Sequence, residues 1–202
     1  MEVIGPSLRL RYARPADAAA LLELGSDPEV TRFFSWGPYR SVAEPEAYIE
    51  GLPAERAAGE RLDFVIVDAT AGVVGVTGLS ELSTRDRRAV VGTWLGRRFW
   101  GTGANRASKA LIARLSFSVL GLERLGAYAD LDNPRSQAAL EALGFQREGV
   151  LRRWHRHGEQ VHDVMVYSWL RSEWERSELA SEAVELHGTP PAPWVSPGAA
   201  PS

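Results

Sequence analysis

Arg97-Arg98-Phe99-Trp100-Gly101-Thr102-Gly103-Ala104-Asn105 is the stretch with the clearest capacity for chemistry. Two glycines stand one residue apart, just before a segment, Ala104 to Leu120, whose apolar residues recur at helical spacing. Glycine lets the backbone come close to a ligand and adopt conformations closed to other residues. The first turn of a helix leaves N–H groups without intrahelical acceptors, at an end that carries partial positive charge. Such a turn suits phosphate or pyrophosphate. On these residues alone four readings stay open. A nucleotide P-loop needs a Lys-Ser or Lys-Thr pair after its second glycine, and none is present. A dinucleotide fingerprint needs a third Gly or Ala where Arg106 stands, within a parallel βαβ unit. The third reading is the pyrophosphate of coenzyme A, and the fourth a strand-to-helix turn with no ligand.

Three other groups have chemical potential. Asn133-Pro134-Arg135-Ser136 reads as a helix start, with Asn or Ser capping free N–H groups. His155, His157, His162 and Asp163 include an H-x-H pair, which on a strand places both imidazoles on one face, as some zinc sites do. Arg152, Arg153 and Arg156 crowd the same segment and would repel a divalent ion, so no metal is expected. Phe33, Phe34, Trp36 and Tyr39 concentrate in one loop, where they either line a pocket or anchor the loop in the core. Phe99 and Trp100 read as packing beneath the following helix.

The elements that must position these groups follow a distinctive order. Leu8 to Tyr12 alternates apolar and charged residues as a half-buried strand does. Pro15-Ala16-Asp17 opens a helix to about Gly25, and a second helix is expected from Glu44 to Ala58. Strands are expected over Leu62 to Asp68, Val73 to Leu79 and Ala89 to Leu95, joined by short turns. After the glycine turn and its helix come a strand from Arg124 to Ala129 and a helix from Pro134 to Leu143. Two last strands, Phe145 to Leu151 and Val161 to Leu170, complete the pattern. Arg171 to Leu186 has the charge of a surface helix, and Gly188 to Ser202 is rich in Pro, Ala and Gly, with little to bury. The order implies a mixed sheet covered by helices on both faces, in one domain.

Composition narrows the function. Of 202 residues, 45% are apolar and 24% charged, and the formal net charge is −3, which gives no general affinity for nucleic acid or acidic lipid. The absence of cysteine removes disulfides, thiolate metal sites and a cysteine nucleophile together. The first residues carry no apolar signal core, and no apolar run approaches the roughly 20 residues that span a bilayer. A cytoplasmic protein without membrane or nucleic-acid partners is expected.

Arg98-Phe99-Trp100-Gly101-Thr102-Gly103 matches the R-x-x-G-x-G/A motif of GNAT acetyltransferases. Leu120-Gly121-Leu122-Glu123-Arg124, Asp132-Asn133-Pro134-Arg135-Ser136 and Leu143-Gly144-Phe145 follow in order. The succession, over roughly Leu8 to Trp174, resembles the branch that acetylates ribosomal-protein N-terminal alanine and serine. The resemblance implies an acyl-CoA N-acyltransferase fold of the α/β (α+β mixed) class, with a splayed, largely antiparallel sheet of about seven strands. It implies a domain over 1–174, to which composition adds a helical extension over 175–187 and a disordered tail over 188–202.

The same resemblance implies site roles. Trp94, Leu95 and Gly96 would pair with the pantetheine arm, and Gly101, Thr102, Gly103, Ala104 and Asn105, with Arg98 nearby, would hold the pyrophosphate. Asn133 would touch the coenzyme, and Ser136 would meet its sulfur and protonate the departing thiolate. His155 stands where serine-acetylating relatives place a glutamate base, a departure that leaves His155, Glu148 or a water chain as the base candidates. Phe34, Trp36, Tyr39 and Trp154 would wall the acceptor. The cosubstrate is acetyl-CoA or another acyl-CoA, the acceptor a small-molecule amine or a protein N-terminus, and a homodimer is kept as the candidate assembly. The competing class is a non-catalytic acyl-CoA sensor or subunit, because the glycine turn serves both.

Overall fold

The structure is a computed structural model that describes residues 1–195. β1 (Glu2–Ile4) and β2 (Leu8–Arg11) lead into α1 (Ala18–Gly25), α2 (Pro28–Thr31) and α3 (Ala43–Ala58). β3 (Arg61–Asp68), β4 (Gly72–Ser83) and β5 (Arg88–Leu95) follow as a meander. α4 (Ala104–Arg114) closes with a π-turn over Leu115–Val119, and β6 (Arg124–Asp130), α5 (Pro134–Ala142), β7 (Gln146–His157) and β8 (Gln160–Leu170) come next. α6 (Arg171–Trp174) and β9 (Glu185–His187) end the regular elements. No helix among the described residues is long and apolar enough to cross a membrane.

All nine strands form one sheet in the order β7-β8-β6-β5-β4-β3-β2-β1-β9. Every pairing is antiparallel except β5 with β6. Period-2 burial builds the two layers. Leu10, Phe64, Ile66, Ala89 and Val91 face α4 and its Leu111 and Ile112, while Val65, Val67 and Val76 face Leu21 of α1 and Ile49 of α3. Arg11 also buries, because Asp17 accepts two guanidinium hydrogen bonds at 2.7 Å, which fixes the chain between β2 and α1.

The parallel pair determines where a site can be. β5 and β6 pair only over Arg88↔Arg124, Ala89↔Leu125 and Val90↔Gly126. From Val91 onward β5 keeps its ladder with β4 as far as Leu95↔Gly75 but has none with β6. The sheet therefore opens into a V.

The structure corrects the reading of the sequence at its ends. Nine strands form among the described residues rather than about seven, because β1 and β9 are three residues each, too short for alternation to show. The charged helix expected over Arg171 to Leu186 is one turn, α6, followed by a 3-10 turn at Glu178–Ser181 and by β9 on the edge of β1. Trp174, Leu179 and Leu186 are five and seven residues apart, so one helix could not turn all three to the core. Of the tail expected to be disordered, 196–202 lie outside the described residues, but Trp194 is fully buried and its Nε1 donates to Arg56 O at 3.0 Å. We expect Trp194→Ala to cost about 3 kcal/mol, read as a lower urea midpoint at unchanged slope. An unchanged midpoint would show that this segment does not contribute to the fold.

Candidate active site

The glycine turn is fastened to β5 from both ends. Gly96 N–H donates to Val74 O at 3.0 Å, and Trp100 Nε1 donates to Leu95 O at 2.9 Å. Gly101 and Gly103 have φ of 74° and 90°, the left-handed region that favours glycine. Gly103 is the N-cap of α4, and a Cβ built on either glycine meets nothing within 4 Å. Thr102 Oγ1 donates to Phe99 O at 2.8 Å and accepts from Ala104 N at 3.4 Å. After Ala104, the Asn105 and Arg106 N–H groups have no acceptor among the described residues, at the positive end of an eleven-residue helix. Arg98 lies at the surface, paired with Glu23 and set over the Phe99 ring.

A cavity of about 540 Å³ fills the V. One wall is the unpaired edge of β5, Val91 to Leu95, continuing into Gly101, Gly103 and Asn105. The other wall is Ala127 and Tyr128 of β6 with Asn133 and Ser136 of α5, and Phe33 and Phe34 stand at the mouth. Segments far apart in the chain therefore converge on one space. Asn133 Oδ1 accepts the Ser136 N–H at 3.1 Å, which makes it a cap of α5 as well as a wall residue. The Ser136 hydroxyl makes no hydrogen bond among the described residues.

The remaining expected residues divide. Gly96, Arg98, Thr102 and Ala104 shape the turn without lining the cavity. Trp36 stacks between Tyr39 and Trp94, with ring centroids at 4.9 and 5.2 Å, and Phe34 lies 5.5 Å away, so the aromatic loop is clamped to β5. Trp154, 50% exposed, and His155 reach the cavity only through Tyr128, at 6.0 and 6.3 Å. Glu148 lies at the closed end of the V, where it pairs with Arg124 and accepts from Ser168 Oγ at 2.8 Å. The Arg124 hydrogen bonds hold its carboxyl down at about 2 against the opposing effect of burial, with Ser168 adding to the pull. It is a weak base and does not line the cavity. Asp163 accepts the Arg153 N–H at 2.7 Å and secures a bulge in β7.

The histidines pack together, with His157 centroids 6.0 Å from His155 and 4.7 Å from His162, and His162 Nδ1 3.0 Å from Asp130 Oδ2. Among the described residues no group of three or more His, Cys, Asp or Glu is arranged to hold a metal ion.

Lys109 is the wall residue that sequence reasoning missed. It is 4% exposed, lines the cavity, and donates to Thr93 Oγ1. Thr93 Oγ1 in turn lies 2.6 Å from Thr77 Oγ1, and both hydroxyls reach Gly92 O. No carboxylate pairs with Lys109 among the described residues, and burial brings its ammonium down to about 7. The available signal was a lysine one turn before Ile112 on the helix face that the apolar spacing assigns to the core.

Known proteins resemble this chain in sequence and fold. Residues 7–146 match the profile of the acetyltransferase (GNAT) domain. The uncharacterized N-acetyltransferase p20 of Bacillus licheniformis is 33% identical over 169 residues, which are 83% of this chain and 94% of that protein. The uncharacterized N-acetyltransferase YoaA of Bacillus subtilis (strain 168) is 31% identical over 163 residues, 80% of this chain and 92% of its own. Among solved structures, spermidine N-acetyltransferase from Vibrio cholerae in complex with CoA and spermine has a TM-score of 0.71, covering 83% of this chain and 98% of its own at 23% identity, a likeness of fold. A domain profile that spans most of the chain, on a sheet that parts beside a glycine-capped helix, places this protein in the GNAT acetyltransferase family.

Proposed function

We propose that this protein moves an acyl group, acetyl first among them, from acyl-CoA directly to a primary amine. The observation that carries the reading is the free edge of β5: Val91 to Leu95 line the cavity without a β6 partner, and the edge runs into the N-terminus of α4. Backbone groups on such an edge pair with an amide-bearing arm as an added strand does. The pantetheine arm lies along Trp94 and Leu95, and the pyrophosphate on the N–H groups of Gly101, Gly103 and Asn105, since the N–H groups of Gly96 and Ala104 are held by Val74 O and Thr102 Oγ1. Asn133 holds the arm from the α5 side.

The reaction then needs few groups. A neutral amine attacks the thioester carbon, the C–N bond forms, and the C–S bond breaks without a covalent enzyme intermediate. Free N–H groups of β5 meet the oxyanion. The thiolate leaves beside Ser136, whose hydroxyl is a weak acid, and the Lys109 ammonium, a stronger one. The acceptor enters past Phe34 and Trp36, with Trp154 on the far side.

The test incubates the protein with acetyl-CoA and a panel of amines, comprising spermidine, alanine- and serine-initiated peptides and an aminoglycoside, while free thiol is followed. Amine-dependent thiol release is expected for at least one class of acceptor. Tight acetyl-CoA binding with no amine-dependent release would identify a sensor instead.

A further inference from the structure

One carboxylate on the acceptor face has no part in the transfer just described. Asp63 of β3 pairs across the ladder with Gly78 of β4, and Gly78 pairs with Gly92 of β5. Lateral partners present their side chains to the same face of a sheet. Two of these three positions have no side chain, so a bare lane crosses β4 and β5 from Asp63 to the edge of the V. Its flanks are the neighbouring rows, Val76 and Trp94 on one side, Ser80 and Val90 on the other.

The absent side chains serve different ends. A Cβ on Gly78 would lie 1.9 Å from Asp63 Oδ1, so the carboxylate occupies that space and leans toward the V. A Cβ on Gly92 would meet nothing within 4 Å, so the lane is open where it reaches the cavity. One strand spacing, about 5 Å, separates the row of Gly78 from that of Gly92, and the free edge lies just beyond. That gap suits one amine and one water.

Asp63 is also incompletely satisfied. Tyr48 OH donates to Oδ2 at 2.7 Å, and Arg61 Nη1 lies 3.6 Å from the same oxygen. Oδ1 has no hydrogen bond among the described residues, although the side chain is only 14% exposed. Oδ1 keeps some contact with solvent, so a ligand's donor can reach it. The groups facing it are Tyr48 and Glu55 from α3, Arg61 on its own strand, and Tyr39 from the aromatic loop. Burial, with Glu55 adding, raises the Asp63 carboxyl to about 6 against Tyr48 and Arg61. Trp36, Tyr39 and Trp94 pack on one another along the same side.

We infer that the lane over Gly78 and Gly92 is the acceptor subsite, where Asp63 Oδ1 holds the acceptor's ammonium and takes its proton through one water. The inference rests on the acyl-transfer reading. R–NH3⁺ and the carboxylate become R–NH2 and the carboxylic acid, the amine lone pair forms the C–N bond as the C–S bond breaks, the second N–H proton passes to the departing thiolate to give the free thiol, and Asp63 returns its proton to solvent after product leaves. A purely structural role, stapling α3 to β3 through Tyr48, is the alternative.

The experiment uses the full chain, acetyl-CoA and the amine of the panel that the wild type acetylates best. Asp63→Asn keeps an acceptor for Tyr48 but not a base. It is expected to lower kcat/KM about 10²–10⁴-fold and to abolish a rise in rate through about pH 6, with acetyl-CoA affinity retained. Tyr48→Phe, which removes the staple and leaves the carboxylate, is expected to keep that rising limb. Gly92→Leu is expected to raise the amine KM at least about tenfold, since its side chain enters the lane. His155→Ala serves as the comparison and is expected to keep the limb. Retention of the limb in Asp63→Asn, an unchanged KM in Gly92→Leu, or loss of the limb in His155→Ala would each overturn the inference. A wild type that acetylates no amine of the panel overturns the acyl-transfer reading itself.

Discussion

Gly103→Val is expected to weaken acetyl-CoA binding by about 10²–10⁴-fold, the loss of two charge-assisted hydrogen bonds of about 1.5–3 kcal/mol each. The residue caps α4 at φ of 90°, and a Cβ there points into empty space beside the free N–H groups. A β-branched side chain would therefore occupy the volume a pyrophosphate needs, and would pull the cap away from the left-handed geometry that aims those donors. Strain alone is separable from this effect. Gly72, at φ of 73° and equally unobstructed, is the first residue of β4, so Gly72→Val imposes a similar backbone penalty elsewhere. Calorimetry should show acetyl-CoA affinity lost in Gly103→Val and kept in Gly72→Val. Equal affinity in two folded variants would remove the pyrophosphate from this turn.

Lys109→Met is expected to make the protein more stable and at the same time to cut kcat by about 10²–10³-fold, the range for losing one positioned donor to developing charge. The two effects share a cause. Lys109 is buried against Thr93 with no carboxylate partner, so its charge is held at a cost that an apolar side chain of similar length removes. A protein retains such a charge where a ligand uses it, and the cavity wall beside the expected thioester is that place. Burial puts the ammonium at about 7, and the protonated form is the donor. Wild-type rate should accordingly fall as pH rises through about 7, and the falling limb should vanish in Lys109→Met. A variant with higher Tm and undiminished kcat would assign Lys109 to neither charge stabilisation nor proton transfer.

The glycine turn was legible because its chemistry is local. Two glycines, a missing P-loop lysine and an amphipathic run lie within one short segment, and the backbone conformations they require depend on near neighbours. The same holds for Asn133 and Ser136, where Asn-Pro-x-Ser specifies a capped helix start whatever surrounds it, and the structure shows that cap. Strand and helix order followed from period-2 and period-3.6 patterns in segments long enough to display them. At β9 the pattern failed, since three residues carry too little alternation, and at Trp194 it failed because a single buried tryptophan has no period at all.

Periodicity tells a side chain which face to take, but not which strand lies beside it or where a ladder stops. That β5 leaves β6 after Val90 is a matter of strand pairing in three dimensions, and the cavity exists only because of it. Lys109 reads in sequence as one misplaced charge on an apolar helix face, and it gains meaning only when Thr93 and Thr77 meet it across the sheet. Glu148 was placed near the chemistry by its position in the chain, yet antiparallel pairing carries it to Arg124 at the closed end of the V. Asp63, Gly78 and Gly92 are unremarkable as single letters. Register alone brings them into one row, because hydrogen-bonded strands align residues that the chain keeps fifteen and fourteen positions apart.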